Sequence, residues 1–485
     1  MQKDHIHEIV SVSPKNASKT NGGIFEGWGT SLCWWANRIG YSDVLSQKAA
    51  DLFYGENGLR MNIMRYNIGG GDDPAHDHIQ RTDSAVPGWL KWDETVGDYI
   101  YDYTADSNQL NVMERAVKAS GERAIVEVFS NSPPYFMTVS GCSSGGSDPN
   151  TDNLRKDCYD RFADYLVHVT KYIQDNLGIR VTSLSPMNEP NTPYWNAYSG
   201  KQEGCHFDPG ASQSEIIEKT FDALKKHGVE NVIVSASDET STARQIEAYF
   251  AYTERARNAV GRINTHSYGT EKIEELGRLR AEKGFNLWMS EVDGDGVDGT
   301  LAGEMGSALW FGKKIISDIN ALMPSAWVMW QAIDRHISEN GYNGRRDVGM
   351  ANRKHGFWGL AFADHDREEI ILSQKYYGMG QFSRYIAPGS TIIKCNSDVI
   401  AAYDASKQEL AVVALNTSAE EKNVFFDLSE FSKKHITIKT YRTSGSMEDG
   451  EHWAKIDIAI PQENGFSALL KANSITTFVI SGIEI

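Results

Sequence analysis

Two glutamates, Glu189 in SPMNEP and Glu291 in WMSEV, stand out because of where they fall. Each closes a short run of β-branched, apolar or aromatic residues. Six other such runs end in reactive or ring-binding types: Trp34–Trp35, Arg65, Asn131, Asp238–Glu239, His266 with Tyr268, and Trp330–Gln331. Asn188 stands directly beside Glu189. An isolated carboxylate at a strand end is usually a cap or a hydrogen-bonded core group. Two that face each other across a cleft can cleave a glycosidic bond, one protonating the departing oxygen while the other attacks the anomeric carbon or activates water. The pair then needs unlike environments. Arg65 and the Tyr268 hydroxyl are expected to hold Glu291 ionised, by charge and by hydrogen bonds to the charged form. Glu189 is expected nearer aromatic walls, its pKa raised so that it is protonated when needed.

For these groups to meet, the runs that carry them must close on themselves. From about Ile24 to Tyr385 the chain alternates strand-like runs (24–32, 61–69, 123–131, 181–189, 231–239, 262–269, 286–292 and 325–333) with amphipathic helical stretches such as 159–178, 212–228 and 302–323. Eight strands alternating with helices predict a (β/α)8 TIM barrel, whose catalytic groups sit at the C-terminal strand ends. Strands four and seven lie nearly opposite in such a ring, so Glu189 and Glu291 face one another. A doubly wound open sheet would require a Gly-rich phosphate turn after strand one, and WGTSLCWW does not supply it. After Pro388 helical periodicity fades and short strand-like runs follow one another, which predicts an antiparallel β-sandwich. The run HEIVSV (7–12) has no place in the barrel and is expected to complete that sandwich. The expected division is 22–387 for the catalytic barrel and 1–21 plus 388–485 for the side domain.

Composition narrows the partners. A formal charge of −17 over 485 residues argues against nucleic acid or an anionic membrane surface. Twelve Trp and 21 Tyr suit the flat faces of sugars, although core packing must take most of them. No apolar stretch is long enough to insert in a membrane. The N-terminus MQKDHIHEIVSV lacks a signal-peptide pattern, leaving the compartment open between cytoplasm and a secreted form without its leader. Five scattered Cys are expected as free thiols, with a Cys142–Cys158 bridge as the alternative. No metal or other cofactor is expected. HDH (76–78) and HIH (5–7) lack helical spacing and partner ligands, and DGDGVDG (293–299) lacks the ligands of a calcium loop, so it is taken as a substrate-side loop with Asp293 or Asp295 near the sugar. Oligomeric state is not readable.

Several of these segments together resemble glycoside hydrolase family 30, in the clan of barrel glycosidases with two Glu on strands four and seven. They are GWGTSLCWWA, SNSPPYFM, SPMNEP, VSASDE, THSYG, WMSEV and the join KYYGMGQFSRYIAPG (375–389). The resemblance implies Glu189 as acid/base, Glu291 as nucleophile, and Asn188 as the neighbour that binds the 2-hydroxyl of the attacked sugar. It implies Arg65 and Tyr268 as contacts of the nucleophile, and His266, Trp330, Trp34 and Trp35 as lining positions; Asn131 joins them as a strand-end candidate. It also implies retention through a covalent glycosyl-enzyme without a metal. The double Trp and MRYNIGGGDDP look most like the branch acting on β-1,6-galactan, the side chains of arabinogalactan. The alternatives on this fold are β-1,6-glucanase or β-glucosidase, glucosylceramidase-like and glucuronoxylanase activities, the last needing a cation such as Arg335 or Arg345–Arg346. A non-catalytic glycan-binding barrel is the alternative from another class, and the presence of both Glu speaks against it.

Overall fold

The alternating runs resolve into eight parallel strands joined in a closed ring. We name them β1 (Gly27–Ser31), β2 (Ile63–Asn67), β3 (Ile125–Phe129), β4 (Val181–Ser185), β5 (Ile233–Ser241), β6 (Val260–Gly269), β7 (Leu287–Glu291) and β8 (Ala326–Gln331). β8 returns to β1 through the pair Ala326↔Gly27, which closes the barrel. This computed structural model describes residues 6, 8–79, 84–294, 303–342, 345–348 and 357–485, with side chains of 339–342, 345–348 and 434 left out. The expected TIM barrel is therefore present, all eight strands lying within or close to the segments read from the sequence.

Strand alternation sorts the barrel's side chains into two environments. Met64, Tyr66, Val126, Val128, Leu184, Met289, Trp327 and Met329 join the large core shared with the surrounding helices. Their neighbours in sequence point inward. At one level these are apolar, Ile63, Trp288, Ala326 and Val328 packing with Ile125. Beside them the interior turns polar: Arg65, Glu127, Ser183, Ser235, Arg262 and Asn264 are all fully or almost fully buried. The Arg262 guanidinium lies 3.4 Å from the Trp288 ring centroid, joining the two levels. A polar barrel interior must be satisfied by its own hydrogen bonds, and here it leads directly to the site described below.

Gly27 opens β1 at φ +135°, and an added Cβ would lie 1.9 Å from Asn62 Oδ1. Asn62 cannot yield: its side chain donates to the carbonyls of Glu26 (2.9 Å) and Arg123 (3.0 Å) and accepts from the Trp28 N–H (3.2 Å). Gly27→Ala is expected to cost about 2–5 kcal/mol from backbone strain and overpacking, read as a lowered urea midpoint at unchanged slope. An unchanged midpoint would contradict this account of the barrel's first strand.

The C-terminal runs form a six-stranded antiparallel sheet (391–396, 399–404, 409–416, 474–484, 432–444 and 451–456, in spatial order). Opposite it lies a four-stranded sheet in which Glu8–Ser11 pairs in parallel with Lys422–Asp427, Glu8 opposite Val424. Val10, Val12, Ile393, Val412, Phe426, Phe466 and Phe478 from both sheets share one core. The other face of the six-stranded sheet, with Ile392, Ile400, Ala402, Val413, Leu415 and Ile475, belongs to the barrel's core. That double burial explains why ELAVVALN reads as an unbroken apolar run. Two further sheets are absent from the sequence reading. One is the hairpin Leu90–Asp93/Asp98–Tyr101, and the other is the sheet of Ile333–Tyr342, Arg345–Val348, Ala361–Asp364 and Glu369–Leu372 that follows β8. Most of their strands are four residues long, too few to show a period, and the ten-residue Ile333–Tyr342 has Asp334, Arg335 and His336 near its start. All five Cys are free. Among the described residues no helix is long and apolar enough to cross a membrane.

Candidate active site

Glu189 lies four residues beyond the end of β4, in the left-handed region at φ +47°. Its backbone is held there on two sides. The N–H donates to the Asp238 carbonyl (2.8 Å), and the carbonyl accepts from Trp195 Nε1 and Thr192 Oγ1, each at 2.9 Å. A strained backbone fixed by its surroundings is common where a side chain must be aimed. Glu291 is the last residue of β7. Arg65 Nη1 donates to its Oε2 (3.0 Å) and the Tyr268 hydroxyl to its Oε1 (3.1 Å). His266 Nδ1 stands between the two carboxylates, 3.1 Å from Glu189 Oε1 and 3.6 Å from Glu291 Oε1. An oxygen of each glutamate and a nitrogen of His266 all lie within 4.8 Å of one another.

Beneath the pair runs a buried network of alternating charge. Arg65 meets Glu127 (3.0 Å), Asp238 (3.2 Å) and Glu291 (3.0 Å). Asp238 accepts from Ser185 and Ser290, each at 2.5 Å, and lies 3.5 Å from His266 Nε2. Glu127 is held by Arg65, Arg262, Ser183, Ser235 and Asn264. Burial alone would raise Asp238, but Arg65 and His266 outweigh it and leave the carboxyl well below its usual range. Burial would likewise lower His266. The charge of Glu291 and the hydrogen bonds that the protonated ring donates to Asp238 and Glu189 instead push it up to about 10, so the ring is an imidazolium at neutral pH.

The two glutamates differ in the opposite sense to that expected from residue type. Burial pushes Glu189 up, but the hydrogen bond and charge of His266, with the Tyr194 hydroxyl, bring it below its ordinary value. Burial also raises Glu291, and the charges of Glu189 and Asp238 oppose the help given by His266 and Arg65, leaving it above its ordinary value. The reason lies in the tertiary arrangement: His266 leans toward Glu189, and Tyr194 donates to that same carboxylate.

These carboxylates face a cleft of about 480 Å³ lined by Trp34, Asn188, Tyr194, Trp195, Lys201, Thr240, Tyr268, Asp293, Trp330 and Trp358 among others. Trp34 and Trp330 meet edge to face at 4.8 Å and form one wall. Trp35, expected beside Trp34, is not in the cleft. Its indole is fully buried against Phe53 and donates to the Ser31 carbonyl, because consecutive residues entering the short helix Trp35–Ile39 point to opposite sides. Asn131 is buried under the cleft with Nδ2 toward Cys33 Sγ (3.5 Å), and Arg65 and His266 lie behind the carboxylates rather than in the wall. Tyr194, Trp195 and Trp358 were not anticipated; the aromatic pair five and six residues after Glu189 was the available sign. Asp295 and residues 296–299 fall outside the described residues, as do His5, His7 and the side chains of Arg345 and Arg346.

The family description "O-Glycosyl hydrolase family 30" matches residues 11–267, more than half of the chain. The chain belongs to glycoside hydrolase family 30. It is a glycoside hydrolase, and an oligo- or polysaccharide is the substrate class. The endo-β-1,6-galactanase of Hypocrea rufa is 29% identical over 96% of this chain and 93% of its own length. The exo-β-1,6-galactobiohydrolase of Bifidobacterium longum subsp. longum is 25% identical over 94% of this chain, which spans 37% of that longer protein. Among solved structures, a conserved exported protein from Bacteroides fragilis superposes with a TM-score of 0.75 at 18% identity, covering 97% of this chain and 100% of that one. The catalytic domain of GH30 xylanase C from Talaromyces cellulolyticus gives 0.71 at 17% identity, covering 98% and 100%. These two likenesses establish the shared fold.

Proposed function

We propose that this family 30 enzyme cleaves β-1,6-galactan with retention of configuration, Glu291 attacking the anomeric carbon and Glu189 serving as acid and then base. The observation that carries the chemistry is the approach of the two carboxylates to within 4.8 Å. That bound between their nearest oxygens favours the roughly 5–5.5 Å separation of a double displacement over the roughly 6.5–9.5 Å that an inverting water requires. Arg65 and Tyr268 hold Glu291 beneath the cleft with its carboxylate aimed upward, as a nucleophile must be. The two acids titrate as a pair. The reaction requires one proton on the pair, placed on Glu189 with Glu291 ionised on Arg65; in the free site His266 and Tyr194 favour the opposite placement, so substrate binding must shift the proton to Glu189. When Glu291 bonds to the sugar its charge disappears, and with it the largest influence holding the proton on His266. In that same step the glycosidic C–O bond breaks and its oxygen takes the Glu189 proton, and the Glu189 carboxylate so formed is held by His266 through the contact at 3.1 Å. Asn188 in the cleft is suited to the 2-hydroxyl, and Trp34 and Trp330 to the faces of the sugar rings.

The galactan assignment is supported by the near full-length relationship to the Hypocrea rufa enzyme. Against a uronic acid substrate, Arg335 lies 3.6 Å from Asp334 and 5.2 Å over the Trp358 ring, so its charge already has partners. Lys201 in the cleft offers a cation of its own, so glucuronoxylan belongs in the test. Purified protein assayed on β-1,6-galactan, β-1,6-glucan and glucuronoxylan, with products resolved by size, is expected to act on galactan at least about tenfold better, in kcat/KM, than on either other glycan. A preference for glucan or glucuronoxylan would reassign the substrate while leaving the two-carboxylate chemistry in place.

A further inference from the structure

Beside the cleft, at the same end of the barrel, Asp72, His76, His78 and Cys142 converge. One ligand-type atom from each lies within 4.8 Å of every other. His76 Nδ1 is 3.1 Å from Asp72 Oδ1, His78 Nε2 is 3.2 Å from Asp72 Oδ2, and Cys142 Sγ is 3.4 Å from His78 Nε2. We propose that these four side chains form a four-coordinate zinc site. Ligand atoms held about 2.0–2.3 Å from one zinc at tetrahedral angles stand roughly 3.3–3.5 Å apart, close to the separations seen here.

The alternative is a simple hydrogen-bonded knot, and the geometry speaks against it. His78 Nε2 and Asp72 Oδ2 are 3.2 Å apart, yet that carboxylate oxygen is buried without an aligned hydrogen bond. Two atoms aimed at a common third point have this relationship. Cys142 is fully buried, and the Tyr198 N–H is directed at its sulfur at 3.3 Å, a donor placed as for a metal-bound thiolate. The ligand types also select the ion. Among the described residues the ligand set is two imidazoles, a thiolate and a carboxylate, the number and types of a four-coordinate zinc site. The spacing H-x-H gave no hint of it because its partners come from elsewhere, Asp72 four residues earlier and Cys142 from the loop after β3.

Bound there, zinc would tie together two loops on the substrate side of the barrel and fix the surface on which a third packs. Asp72, His76 and His78 belong to the loop after β2 and Cys142 to the loop after β3. Tyr198, whose ring meets both imidazoles edge-on at 5.1 and 5.5 Å, belongs to the loop after β4 that also carries Tyr194 and Lys201 of the cleft wall. Untagged protein loaded with zinc and dialysed against a weak chelator is expected to keep one zinc per chain by mass spectrometry. Its cobalt form is expected to show a thiolate-to-cobalt charge-transfer band. The double variant His76→Gln/His78→Gln should lose bound metal by roughly tenfold or more, since removing even an outer-shell partner has that effect. Cys142→Ser should abolish the band while leaving the far-ultraviolet dichroism unchanged. If that variant does not fold, the double His variant alone decides. Wild-type protein without stoichiometric metal, a cobalt form without the band, or a band that persists in Cys142→Ser would each overturn the site. None of these readouts depends on glycosidase activity.

Discussion

Given a dinitrophenyl β-galactoside and azide, Glu189→Ala is expected to release the β-galactosyl azide and Glu291→Ala the α-azide. Glu189→Ala keeps the nucleophile, and dinitrophenolate leaves without a proton, so the glycosyl-enzyme still forms on Glu291. Azide then attacks from the face that water would have used and the product retains its configuration. In Glu291→Ala the space beside Arg65 and Tyr268 is vacated, and azide enters it to attack the substrate directly, with inversion. Without azide, loss of the acid should reduce turnover of unactivated galactan by roughly 10²–10⁴-fold, the usual span for general acid–base catalysis, and loss of the nucleophile by more. Proton NMR of the azides reads the outcome. The two products appearing the other way round would exchange the roles of Glu189 and Glu291. Absence of rescue in both would remove the support for either role.

The second large effect belongs to His266. Its pKa is raised to about 10 in the folded protein, by Glu291, Asp238 and Glu189 acting against burial. A raised value means that the folded state binds the proton more tightly than the unfolded chain, whose histidine titrates near about 6.5. The resulting stability is fully present below about pH 6.5 and is lost as pH rises toward 10. His266→Gln keeps a hydrogen-bonding side chain but not the charge. It is therefore expected to be less stable than the parent by about 3–5 kcal/mol at pH 6, with the difference closing progressively toward pH 10. Glu203 and Glu239, raised by burial to about 8 and 7, titrate in both proteins and cancel in that difference. Urea unfolding at a series of pH values measures it. A gap independent of pH would show that His266 is held neutral, and the proton assignments around Glu189 would then have to be redrawn.

How far the sequence led differs between fold and site. The barrel was legible because each strand is short, β-branched or aromatic and followed by an amphipathic helix, signals that are local. The hairpin at Leu90–Tyr101 and the sheet after β8 were not, since their mostly short strands take their pairing from the rest of the fold. Residue types at the strand ends placed Glu189, Glu291, Arg65, His266 and Tyr268 in one neighbourhood, and the structure brings those five together. The sequence also marked Trp34 and Trp35 alike, although one lines the cleft and the other is core, because only the turn into the helix Trp35–Ile39 determines which indole faces out.

What the sequence by itself determined is the class of fold, the pair of carboxylates and the strands that present them. Those follow from periodicity and from which side chains can do acid, base and nucleophilic work. The tertiary structure alone decided which carboxylate His266 leans on, and so the direction in which each is shifted. It alone decided that Glu127, Arg262 and Asn264 would build the charged floor beneath them, and that Asp72 and Cys142 would join HDH. Each of these rests on contacts that the local sequence does not reveal, such as His266 with Glu189 at 3.1 Å and Cys142 with His78 at 3.4 Å. Electrostatic interactions change steeply over that range, and nothing in local sequence encodes it.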